Sequence, residues 1–174
     1  NDIMATYTFG LAKVMVADVS ADGTMPETST MTKIGEVFED SGSLEQEEGE
    51  TTEFKEEGNP IPKVVITKQG KITFKFNLMN VDPKMMADYI GGSVNVTSKE
   101  WEFDGKAKSV EKALYIQPEQ GLYFKIPKAS ISAVLSGEMN QSNLITMNFT
   151  VTPLSPGEGK KSVLAGNVSD LPTG

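Results

Sequence analysis

Ile72, Phe74, Phe76 and Leu78 alternate with Lys71, Thr73, Lys75 and Asn77. This period of two predicts a strand with one apolar and one polar face. The chain then turns at Asn80-Val81. Asp82 is placed to accept hydrogen bonds from the free N–H groups of a new helix, and Pro83 suits its first position, where no N–H is needed. The pattern predicts a short helix over about 83–90. Met85, Met86, Tyr89 and Ile90 fall on one side of it, the side expected to pack on the sheet. Gly91-Gly92 ends it by tolerating positive φ.

Nearly everything else reads as strand. Residues 7–19 form a first strand with a break or bulge at Gly10, followed by a polar turn over 18–26. Residues 31–38 form a second, anchored by Ile34 and Phe38. Asn59-Pro-Ile-Pro62 is a hard break, since neither proline can donate to a ladder. Residues 63–68 are a short strand, and Gln69-Gly70 predicts a tight turn that pairs it with 72–78 as a hairpin. Alternation returns at 93–97, 99–103 and 109–117. A loop at 118–121 leads to 122–126, with Pro127 at its edge, and then to 129–135. The last clear strand is 144–152, with Ile145, Met147, Phe149 and Val151 on one face. Such spacing predicts a mainly β fold, a sandwich or barrel with one short helix. Residues 1–155 are expected to form a single domain, and the Gly-, Pro- and Ser-rich residues 156–174 a flexible tail.

Charge alters the picture in one window. The chain carries 24 acidic and 16 basic residues, a net charge of −8. Ten of the acids and only Lys55 lie within 36–57, so the remainder is close to neutral. With only Val37, Phe38, Leu44 and Phe54 as apolar residues, this window cannot bury enough surface to order itself. It predicts two strand ends joined by a mobile acidic loop at about 40–51. Glu45, Glu47, Glu48 and Glu50 are its candidate contact residues. The alternation of Glu45, Glu47, Thr51 and Glu53 also suits an exposed hairpin extension.

Candidate chemistry is sparse. The chain has no Cys and no His, which removes disulfides, thiolate zinc sites, cysteine nucleophiles and the commonest general base. All sixteen basic residues are Lys. Without arginine forks and with a negative balance, sequence-reading or phosphate-gripping nucleic-acid binding is disfavoured. Asp18, Ser20, Asp22 and Gly23 begin like a calcium loop, but the twelfth position is Ser29 where a bidentate Glu is needed. The ordinary reading is a turn rich in Asx hydrogen bonds. Asn95, Asn140, Asn148 and Asn167 head glycosylation-type triplets of the kind that chance supplies in such a composition. Trp101 with Phe103, and Tyr123, are either a sugar-stacking platform or ordinary packing. Nothing selects a pair of carboxylates for catalysis. No catalytic residue, metal ligand or cofactor is therefore expected. No apolar run approaches a membrane span, and no secretory signal reads at the start.

The order of these features resembles the tail tube proteins of long-tailed bacteriophages, related to the type VI secretion tube protein. Four features carry the likeness over about 5–155. They are an early strand followed by Ser20-Ala-Asp-Gly-Thr24, a long acidic hairpin loop between Phe38 and Phe54, the strand-then-helix from Ile72 to Gly92, and a final hairpin closing in Asn148-Phe-Thr-Val-Thr-Pro153. The resemblance implies a non-enzymatic subunit of a phage or prophage tail, assembled in the bacterial cytoplasm. It implies hexameric rings, stacked into a tube that conducts DNA and meets other tail proteins. It further implies that the long loop reaches a neighbouring ring. The alternative is a secreted or cell-surface bacterial β-sandwich that binds carbohydrate or protein.

Overall fold

The computed structural model describes residues 6–173. One sheet dominates, with the order β2-β1-β9-β10-β11-β6-β3. Its strands are β1 (Phe9–Ala17), β2 (Thr32–Lys33), β3 (Ser43–Gln46), β6 (Ile72–Leu78), β9 (Val110–Gln120), β10 (Leu122–Ser136) and β11 (Thr146–Pro153). Two further strands, β4 (Glu50–Lys55) and β5 (Pro62–Lys68), pair with each other. So do β7 (Ser93–Val94) and β8 (Trp101–Glu102). The strand β12 (Leu164–Asn167) pairs with the first part of β10.

The sheet closes on itself through a single run of chain. β2 pairs with β1, and Ile34 N–H donates to the Val14 carbonyl at 3.0 Å. A few residues later Val37 bridges to Leu78, Phe38 N–H donates to the Asn77 carbonyl at 2.8 Å, and β3 pairs with β6. Residues 32–46 thus pass from one end of the strand order to the other, and the result is a barrel. Gly35 sits at this crossing, where a Cβ would press on Leu78 and Asn80.

The alternating apolar faces of β6, β9, β10 and β11 meet inside. Phe76, Leu78, Leu114, Ile126, Ile131, Met147, Phe149 and Val151 are fully buried there. Phe76 and Phe149 stack at 5.2 Å between ring centroids. The helix α1 (Pro83–Tyr89) covers this core, with Met85, Met86, Tyr89 and Ile90 packed against it. Its start follows from the sequence: the Asp82 carboxylate accepts from Met85 N–H at 2.8 Å, and Pro83 stands at the first position. Gly91 and Gly92 follow with φ of 137° and 77°.

Three expectations need correction. Residues 63–68 do not form a hairpin with 72–78; β5 pairs with β4, and Gln69-Gly70 joins β5 to β6 within one leg. The physical reason is that β3 occupies the edge of β6, so the ladder made by Ser43–Gln46 continues outward into β4 and β5. Pro118 lies within β9 rather than in a loop, because its missing N–H falls where the β1–β9 register slips near Leu11. Pro127 does not end a strand either. β10 runs through it by shifting register between Ile126 and Ala129, a bulge that absorbs the residue without a donor.

Candidate assembly interface

β3–β6 and β4–β5 are two halves of one ribbon. Gln46 stands opposite Ile72 and Glu50 opposite Lys68, so the two halves share a register. The legs are joined at a neck formed by 47–49 and 69–71. There Glu47 N–H donates to the Lys71 carbonyl at 3.0 Å. Gly49 approaches the Lys68 carbonyl and Gly70 the Glu47 carbonyl so closely that neither position has room for a Cβ. Beyond the neck the ribbon stands clear of the barrel, and 50–61 and 63–68 are all exposed. Its tip turns at Glu56–Pro62, where Asn59 N–H donates to the Glu56 carbonyl and the Asn59 side chain accepts from Ile61 N–H.

The period of two makes this arm amphipathic. Opposite residues share a face, so Thr52, Phe54, Val64 and Ile66 lie together on one side, with the Glu50–Lys68 pair at its base. Glu53, Lys55, Lys63, Val65 and Thr67 lie on the other. Phe54 is 54% exposed, Val64 51% and Ile66 48%. A two-stranded ribbon is marginal in water on its own. An uncovered apolar face of this kind marks a surface made to be packed.

The predicted contact residues are spread along the ribbon's base. Glu45 lies on β3, Glu47 and Glu48 in the neck, and Glu50 at the start of β4. The Glu47 carboxylate is 3.8 Å from the Lys71 ammonium. The 40–51 stretch, expected to be a loop, thus contains β3. Charge is divided along the ribbon: 36–48 holds six acids and no lysine, whereas β5 holds Lys63 and Lys68 and no acid.

Beside the free edge of β3, the barrel opens into a cleft of about 860 Å³ whose walls include Phe9, Phe38, Leu44, Phe74 and Phe124. Asp40, Glu39, Glu119 and Lys75 also line it.

A family model described as phage tail tube protein matches residues 3–165. The chain belongs to the phage tail tube protein family. It is a structural subunit of the tail tube, placed in the virion tail and assembling with other tail subunits. No curated protein matches it. No helix among the described residues is long and apolar enough to cross a membrane.

The other candidate groups of this tail tube protein are engaged elsewhere. Trp101 stacks on Phe103 at 4.9 Å and its indole N–H donates to the Gly91 carbonyl at 2.8 Å. Tyr123 packs instead on Tyr115, so the two halves of the imagined platform are not brought together. Asp18 accepts from the Lys112 ammonium at 2.6 Å, which holds its carboxyl below the usual range, and Asp22 accepts from Thr24. Asp18 is thus an ion-pair residue and Asp22 a turn residue. The stretch read as a tail carries β12, laid along 122–125 of β10 with Gly166 beneath the Tyr123 ring.

Sequence reasoning missed the apolar arm face and the basic edge of β5. The signal was available: Thr52, Phe54, Val64 and Ile66 share even numbers with Phe74 and Phe76, the mark of one ribbon read in a single register.

Proposed function

We infer that this tail tube subunit assembles into hexameric rings, and that the rings stack into a tube through which phage DNA passes, assembled in the host cytoplasm. The reading carries no catalytic step and no cofactor. The observation behind it is the arm: an exposed ribbon with one apolar face, on a chain whose family builds tubes. Association is the usual fate of such a face.

The outer face of the barrel strands supports the conduit. Thr73, Asn77, Asn148, Thr150, Ser130 and Ser132 all alternate with core residues and therefore share this face. Over β6, β11 and the second half of β10 hydroxyls and amides dominate it, with Lys75 and Glu45 as charged members, while Lys13, Lys33 and Lys125 share the face further round the barrel. The patch over β6 and β11 offers few cations to phosphates and so would let a duplex slide.

Negative-stain electron microscopy on concentrated protein, with mass from light scattering, tests the reading. Rings or tubes with a central hole are expected. A monomer at every concentration, even when seeded with tube fragments, would sink it.

A further inference from the structure

The geometry points to one specific contact between copies: the free edge of β5 in the arm of one subunit pairs with the free edge of β3 in the next, laying the arm's apolar face over the cleft. This rests on the reading of the chain as a self-assembling subunit and names the surface by which one copy takes hold of another.

Three independent observations meet here. The first is the pair of edges. β3 ends the strand order of the large sheet, and β5 has only β4 beside it. Each leaves a row of backbone N–H and C=O groups that can template another strand. The second is charge. β3 is flanked by Glu39, Asp40, Glu47 and Glu48 and carries Glu45, whereas β5 carries Lys63 and Lys68. Two β3 edges therefore repel each other and a β5 edge is attracted. Lys63 now meets Glu56 at 3.2 Å, but both side chains are more than half exposed, and such a pair is readily exchanged.

The third is apolar continuity. Leu44 of β3 lies opposite Phe74, on the side that faces the cleft. A β5 strand added beside it would carry Val64 and Ile66, with Phe54 behind them, along the same side. Lys63 would then share the outer face with Glu45, since opposite charges on neighbouring strands pair across one face. The cleft, lined by phenylalanines in one copy, receives the exposed apolar side chains of another.

The direction of the edges fixes the kind of assembly. β4 prolongs β3 and β5 prolongs β6, so the β5 edge faces the opposite way from the β3 edge. Joining unlike edges is a head-to-tail contact, which repeats from copy to copy and closes into a ring when the rotation allows.

The chain has no cysteine, which makes cross-linking decisive. Glu45→Cys is made in one sample, and Lys63→Cys, Val65→Cys and Thr67→Cys in three others, all at exposed positions. Each of the three is mixed with the first under assembly conditions and mildly oxidised. The expected result is a disulfide-linked heterodimer with one of the β5 cysteines in at least tenfold excess over that from Thr51→Cys on the opposite edge. Equal or stronger linkage of Glu45→Cys to itself would replace the contact with a symmetric β3 pairing. Rings without the heterodimer would overturn the contact and leave the ring reading standing, whereas neither rings nor heterodimer would overturn both. As a second readout, the variant Lys63→Glu should assemble at least tenfold more slowly, and adding Glu45→Lys to the same chain should restore the rate. Assembly that ignores these reversals would count against the charge pairing.

Discussion

Gly70 meets the carbonyl of Glu47 across the neck of the ribbon with no space for a Cβ between them. The approach lets one ladder turn outward from the barrel without losing register. Gly70→Ala must push the two legs apart, because the obstacle is backbone oxygen and not a flexible side chain. Overpacking of this kind costs about 1–3 kcal/mol. The loss should be confined to the ribbon. Hydrogen exchange should show faster exchange over 43–55 and 62–72, with β9, β10 and β11 unchanged, and the electron microscope should show impaired assembly.

Phenylalanines at two sites separate folding from assembly. Phe149 is fully buried, stacks on Phe76 and meets the Tyr89 ring at 5.2 Å. Phe149→Ala should destabilise the subunit by about 3–5 kcal/mol. Phe54 lies on the arm, half exposed, and Phe54→Ala should change monomer stability by less than about 0.5 kcal/mol while abolishing or strongly slowing assembly. Urea unfolding of the monomer measures the first effect and light scattering the second. A large loss of monomer stability in Phe54→Ala would mean that the arm folds back on its own barrel.

These two positions also show what the sequence made legible. Phe149 could be placed because its strand alternates cleanly and is long, so one periodicity settles both element and face. Phe54 could not, because the acidic residues around it resemble a solvated loop and only its partner Val64, ten residues on, reveals an apolar face. The helix was readable from Asp82, Pro83 and the two glycines, since each acts on its immediate neighbours. The closure of the barrel was not. Ile34 bonds to β1 and Val37 bridges to β6, on opposite sides of the sheet order, a choice made by tertiary packing. Residues 164–167 follow the same logic: short and set in a stretch rich in glycine and serine, they form β12 only because β10 presents an edge there.

Asp82 offers a local test. Its carboxylate accepts from Met85 N–H, and the helix has seven residues, too few to persist without cap and packing. Asp82→Ala should cost about 0.5–2 kcal/mol, and Asp82→Asn should recover most of it. Thermal melts of the three proteins, read by near-ultraviolet circular dichroism of Tyr89 and Trp101, check the order.

Tyr89 carries a pH dependence with a defined sign. Burial against the core, reinforced by the charges of Asp88 and Asp18, pushes its phenol up to about 12. The unfolded chain gives up this proton near pH 10, before the folded protein does. From about pH 10 upward the unfolded state therefore binds fewer protons than the folded one, and stability falls until about pH 12. Below pH 10 both states keep the proton and the group contributes no slope. Tyr89→Phe removes the phenol while keeping the ring on Phe149. Its urea midpoint should match the parent's near pH 8 to 9 and fall less steeply above pH 10. A parent and variant that lose stability in parallel through this window would show that the phenolate is accommodated, and that the face of α1 opens to water more readily than its packing implies.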